Sequence, residues 1–235
     1  MPSEHTKELS HERTIERMNL QVRGQHFALM VSVTLLILTG LALLYRDSAF
    51  GRLLIALEGG FEARGTIHRV AAALLIATAF YHILYILFSR HGHEEFMQML
   101  LRAQDFKDYG AALLYDLGLR SEKPLLDRYS YREKFQYWAF ALFVVIMIVS
   151  GLILWFHDWF FGILPKWAFD VAIAVHSGTG TLILIVLTLW HLYIVHLSPG
   201  RFPIDWSFWD GKISERQLKE EHPLEYQRLK EKGLL

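Results

Sequence analysis

Four runs of the chain, residues 27–46, 66–89, 135–157 and 168–197, are written almost wholly in Leu, Ile, Val, Ala and Phe. Each is long enough to cross about 30 Å of hydrocarbon as a helix rising about 1.5 Å per residue. Trp and Tyr stand near the ends of the last two, where interfacial anchors belong. The last run is long enough to need tilt or an end outside the hydrocarbon. The expected fold is therefore an all-α integral membrane protein, a bundle of four transmembrane helices. Polar residues precede the first run and no small-residue cleavage pattern closes a short apolar core, so the first run is expected to be retained as a span. The composition agrees, since 53% of the 235 residues are hydrophobic.

Charge orients the spans. Of the 24 Lys and Arg residues, nineteen fall in residues 1–26, 89–134 and 198–235. Four fall in the other two connections (Arg46, Arg52, Arg64 and Lys166), and Arg69 stands just inside the second run. Basic residues collect on the cytoplasmic side. Both termini and the middle loop, residues 90–134, are therefore expected to be cytoplasmic, with residues 47–65 and 158–167 on the outer side. The organisation expected is a cytoplasmic N-terminal segment (1–26), a membrane domain (27–197) and a cytoplasmic tail (198–235). Within the middle loop, HEEFMQMLLRAQDFKDYGAALLYDL mixes apolar and charged residues at helical spacing and is expected to lie along the membrane surface. Net charge is zero, so nucleic acid is not an expected partner. Absence of cysteine excludes disulfides, cysteine-ligated iron–sulfur clusters and covalent haem attachment through CxxCH.

The chemistry lies in the histidines. His5, His11, His91, His93 and His222 stand in polar surroundings, where a solvated surface role is expected. His26, His68, His82, His176 and His191 lie at or inside spans, where an ionisable group is costly and faces the bundle interior for a reason. His68 and His82 are 14 residues apart, a net rotation of about 40° and a rise of about 21 Å. His176 and His191 are 15 apart, a net rotation of about 60° and a rise of about 22 Å. The second and fourth spans thus each offer two imidazoles on one face at two depths, with His68 and His176 at the outer level and His82 and His191 at the inner one. His26 opens the first span and is a third candidate for the inner level. An iron porphyrin needs axial nitrogens from opposite sides, and the small residues around these histidines, in GTIHRVAAA and HSGTGT, leave room for a large flat ligand. Two non-covalent b-type haems are the expected cofactors. A non-haem protein using the same histidines for proton-coupled transport is the alternative. His196 is about 140° around an α-helix from His191, which assigns it to a haem propionate or to the interface. Arg23 and Arg69 flank proposed ligands and are candidates for propionate pairing. The residues leave the inner partner of His191 open between His26 and His82.

These segments together resemble the cytochrome b (gamma) subunit of membrane-bound formate dehydrogenases and its relatives serving hydrogenases, thiosulfate reductases and multihaem cytochromes. RGQHF (Arg23 to Phe27) resembles that family's entry to its first span, and GTIHR (Gly65 to Arg69) its second-span ligand segment. YSYREKFQYW (Tyr129 to Trp138) resembles the polar lead into the third span, which runs on to Ser150, Gly151 and Trp155. HSGTG at His176 and WHLY (Trp190 to Tyr193) resemble the fourth-span pair, and the tail resembles the family's GKxS followed by HPxxY. The resemblance implies His68 with His176 on an outer haem and His26 with His191 on an inner one. It also implies a quinone site (menaquinone or ubiquinone) at the start of the third span, with Ser130, Glu133 and Lys134 in its chemistry and Tyr129 and Tyr131 beside the ring. Glu133 is the preferred proton carrier there. The chain would be an electron-transfer subunit of an oxidoreductase in a bacterial-type inner membrane. Its expected partner is a redox subunit on the outer face, an iron–sulfur protein or a multihaem cytochrome c. Two departures stand out, the fourth-span spacing of 15 where the family pattern has 14, and the additional His82. Pairing His82 with His191 would instead resemble the cytochrome b of quinol:cytochrome c oxidoreductases.

Overall fold

The computed structural model describes residues 13–198, 201, 202 and 204–235. His5 and His11 lie outside the described residues. The chain is mostly helical, and four helices are long and apolar enough to cross a membrane: Leu20–Leu44 (α1), Phe61–Phe88 (α3), Tyr131–Trp155 (α6) and Lys166–Leu197, whose α-helical part Lys166–Val186 is α8. They are inside-out by the standard of a water-soluble core. What α1 buries is Gln25, Ser32, Thr39 and Ala42, and what α3 buries is Ala71, Leu75, Thr78 and Tyr85. Leu35, Leu38, Val70, Phe80, Ile83 and Leu87 are exposed instead. On α1 the buried residues are small or polar and the branched apolar ones lie outside, whereas α3 also buries Leu75 and Tyr85 and α8 buries Phe169 and Ile183.

Each helix begins several residues before its hydrophobic run, because hydropathy marks the part that needs hydrocarbon while the hydrogen-bond ladder continues to a cap. On α6 that cap is a capping box: Glu133 accepts from the Ser130 backbone N–H at 2.9 Å and from the Ser130 hydroxyl, while the Arg132 N–H donates to Ser130 Oγ at 3.2 Å. Between α1 and α3 runs the short helix Ala49–Leu57 (α2), whose N-cap Ser48 accepts from the Gly51 N–H.

The middle segment is two helices rather than one, Arg90–Met99 (α4) and Ala103–Asp116 (α5). Past the short helix His157–Phe161 (α7) and α8, the tail carries Ser207–Asp210 (α9), Glu215–Glu221 (α10) and Pro223–Glu231 (α11). Two three-residue strands depart from a purely helical fold, Thr14–Glu16 (β1) pairing antiparallel with Lys212–Ser214 (β2) and Ile15 opposite Ile213.

The chain divides into two compact units. One comprises Gly24–Tyr85 and Ala139–Asp205 and holds most of the four long helices. The other gathers the chain through Arg23, Ile86–Trp138 and Trp206–Leu235, so three segments remote in sequence form one folded body. An ion-pair network ties that second body together. Arg17 and Arg128 both bind Glu225, Arg128 also binds Glu95 at 3.0 Å, and Arg228 grips Asp127. His222 corrects a sequence expectation: it is buried at 3% exposure, its Nδ1–H donating to the Asp127 carbonyl at 2.8 Å and its Nε2 lying 3.2 Å from Arg17. Its neighbours in sequence are polar, but the chain folds them around it.

Candidate functional site

Within the first unit the histidines of three helices meet in pairs. The rings of His68 (α3) and His176 (α8) have centroids 6.3 Å apart at 64°, and those of His26 (α1) and His191 have centroids 6.3 Å apart at 47°. Metal–imidazole bonds of about 2 Å on either side of one ion place two ring centroids roughly 6 Å apart. Both pairs therefore have the spacing of two axial ligands.

Hydrogen bonding fixes which nitrogen of the first pair is available. Thr39, only 1% exposed, sends its hydroxyl towards the Leu35 carbonyl at 2.6 Å, and the same oxygen is 2.7 Å from His68 Nδ1. A hydroxyl has one proton, so with that proton on Leu35 the hydrogen between Thr39 and His68 belongs to the ring. His68 Nδ1–H donates, and Nε2 carries the lone pair. Ser150 repeats the arrangement across the pair, its hydroxyl donating to the Ile146 carbonyl at 2.6 Å and accepting from His176 Nδ1 at 3.0 Å. This is the support that a metal-ligating imidazole needs, with the outer nitrogen held by a polar partner and the inner one turned to the metal. Gly151 completes the seat. A Cβ there would come 3.1 Å from His176 Cε1, closer than ordinary packing, so the ring lies against bare backbone.

The inner level holds more than the sequence suggested. His26 is a ring that faces His191, and His82 Nδ1–H donates to Gln25 Oε1 at 2.8 Å. His196 stands within electrostatic reach of both His26 and His191. An α-helix would have turned it away, but the end of the fourth span is not α-helical. Leu187–His191 and Tyr193–Leu197 are two successive π-helical turns.

The arrangement fits a haem at each pair. Each pair offers two imidazoles, and a macrocycle supplies the other four ligands of a six-coordinate iron. Among the described residues no group of three or more His, Asp or Glu gathers as a protein-only metal cage would require. Polar groups with a buried atom lacking a protein partner accompany the pairs: Arg64, one helical turn before His68, has an unpartnered Nε while it donates to the Thr39 carbonyl at 2.8 Å, and Gln25, next to His26, has an unpartnered Nε2. Of the two arginines named from sequence, Arg69 is exposed and Arg23 donates to the Trp209 carbonyl, packed against Gly211. Thr39 and Arg64 were not signalled by the sequence, because a hydroxyl satisfied by its own helix and an arginine near a span end are both ordinary.

The residues named for quinone chemistry belong to the second unit, and each has a partner there. Lys134 and Asp105 form a buried ion pair at 2.8 and 3.0 Å. Ser130 and Glu133 form the capping box described above. The Tyr129 hydroxyl donates to Glu95, and burial pushes that phenol above its ordinary range, so it stays a donor. Tyr131 is buried in a cluster of rings with Tyr109 and Phe135. Compared with known proteins, the chain matches no family model and no curated sequence.

Proposed function

We propose that this chain is a di-haem membrane cytochrome b that carries electrons between the quinone pool and a redox partner on the outer side of a bacterial-type inner membrane. The observation that carries the reading is the repetition of one geometry, two imidazole pairs of equal 6.3 Å separation, on three of the four helices apolar enough to cross a membrane. The segments that carry these histidines also resemble those of gamma subunits of formate dehydrogenases.

A haem bound at each pair supplies a one-electron carrier. The chain's own part is to hold and tune it. Thr39 and Ser150 fix the tautomer of the outer pair, and low-dielectric surroundings and hydrogen bonds to axial ligands set a haem's potential. Arg64 is placed to meet a carboxylate at the outer pair. Glu133, Lys134, Ser130 and Tyr129 are proposed as the polar residues of the quinone-reactive end, and Lys134 with Asp105 as the charged pair that a protonating quinone would meet.

Pyridine haemochrome assay of the purified protein tests the reading. Two non-covalent haems per chain are expected, and His176→Ala is expected to remove one of them while sparing the other. A colourless protein that still moves protons would point to the transport reading.

A further inference from the structure

We propose that the π turn Leu187–His191 sets the ligand register of the fourth span, bringing His191 opposite His26 by taking up one residue more than an α-helix places between two stacked histidines. The importance of that register rests on the reading of the pairs as haem ligands; the geometry itself does not.

A 14-residue step on an α-helix, such as that from His68 to His82, is the reference for two residues stacked on one face. His68 and His82 are 14 residues apart on a continuous α-helix, a path that ends about 40° short of whole turns. His176 and His191 are 15 apart, and an α-helical path would end about 60° beyond them, some 100° away from the phase of the 14-residue path. A π turn closes its hydrogen bonds from i to i+5 in place of i+4 and so absorbs one residue with little net change of phase. One such turn makes 15 residues equivalent to 14. The structure contains that turn, ending at His191, and the two pairs come out at the same centroid separation, 6.3 Å.

Nothing else in the local sequence calls for it. No Gly or Pro lies between Thr181 and Ser198, so no backbone breaker within the first π turn imposes it. The second π turn, Tyr193–Leu197, acts in the same sense on His196: five residues of α-helix would carry it about 140° from His191, whereas a π turn returns it to nearly the same face. That accounts for its position near both inner rings. Thr188 is exposed and lies inside the first π turn, which makes it the residue to remove.

Deleting Thr188 should convert the turn to α-helix and leave His191 in place. The deletion variant is expected to keep both low-spin haem signals and the stoichiometry of the parent chain, whereas a helix already in register without the π turn would lose the inner signal alone. Loss of only the inner signal overturns the proposal. A parent chain with no haem refutes the proposed function instead, and a haem-independent measurement then decides the register, as it does if the deletion variant fails to assemble. The chain has no cysteine, so introduced pairs are unambiguous. His26→Cys with His191→Cys should be bridged by a short bifunctional maleimide several-fold faster than His26→Cys with Trp190→Cys. Equal rates, or the reverse order, overturn the proposal.

Discussion

At the residue scale the decisive contacts are those behind the ligands. Thr39→Val removes the acceptor of the His68 Nδ1–H while keeping nearly the same volume, so it leaves the ring free to rotate and to change tautomer. Loss of a ligand's hydrogen-bonding partner costs about 10- to 100-fold in metal affinity. Thr39→Val is therefore expected to speed transfer of one haem to a scavenger protein by about that factor, and to shift only that haem in a redox titration. Gly151→Ala tests the same seat sterically, since its Cβ would press on His176 Cε1 at 3.1 Å. A changed low-spin EPR signal of one haem, with the other constant, is the expected result. The histidines were legible because an imidazole in an apolar run is costly and is kept there only where it has work to do. Thr39 was not legible, because any threonine in a span can satisfy itself on its own helix through the i−4 carbonyl, and sequence says nothing of the oxygen's second lone pair. Arg23 stands beside a proposed ligand in the sequence, but sequence says nothing of the direction its guanidinium takes, which here is to the Trp209 carbonyl.

At the scale of elements, the spans could be read from composition and their starts could not. Hydropathy begins the third span near residue 135, but the capping box begins it at Ser130, and S-x-x-E was present in the sequence as Ser130 to Glu133. This gives Glu133 a structural role that its proposed proton chemistry must be separated from. Gln can replace Glu in a capping box, whereas Ala cannot, and loss of such a cap costs about 1 kcal/mol. Glu133→Gln is expected to keep the thermal stability of the parent and Glu133→Ala to lose about 1 kcal/mol, so slowed quinone-coupled turnover in Glu133→Gln reads the carboxylate's proton role alone. The π turns lay beyond the sequence for a different reason. Their residues, Leu, Thr, Trp, Tyr, Ile and Val, have no π-helical signature, and the only trace was a spacing of 15 where 14 was expected.

At the scale of the whole molecule, the surprise is the body formed by the N-terminal strand, the middle segment and the tail. Some of its ion pairs join residues more than 90 positions apart, such as Arg128 with Glu225, and pairings of that range leave no periodic mark in a sequence. His222 makes this body sensitive to pH. Burial, and then the positive charge of Arg17, hold the His222 pKa below its ordinary 6.5, while the Asp127 carbonyl and the carboxylates of Glu133 and Glu221 act the other way. A folded-state pKa below the unfolded value means that the contribution to stability is complete above about 6.5 and is lost as pH falls towards the lowered value. The protection factors of amides in residues 14–16 and 212–231, corrected for the intrinsic pH dependence of exchange, are therefore expected to fall as pH drops below about 6.5, and His222→Gln is expected to flatten that dependence. The last prediction concerns the membrane itself. Nineteen basic residues on one side against four on the other predict that single cysteines replacing Asp47 or Lys166 react with an impermeant maleimide from outside, and that one replacing Lys123 reacts only from inside. Under the proposed function and with that orientation, haems held at the His68–His176 and His26–His191 pairs would carry electrons across most of the hydrocarbon. A quinone reacting on the inner side and a partner docking on the outer side then make turnover electrogenic. Each charge crossing against 100 mV costs about 2.3 kcal/mol, enough to slow the reaction measurably in sealed vesicles. Proteoliposomes holding the chain and its redox partner should develop a potential, read by a voltage-sensitive dye, and an ionophore that collapses the potential should raise the rate. Turnover with neither response would place the quinone and the partner on the same side.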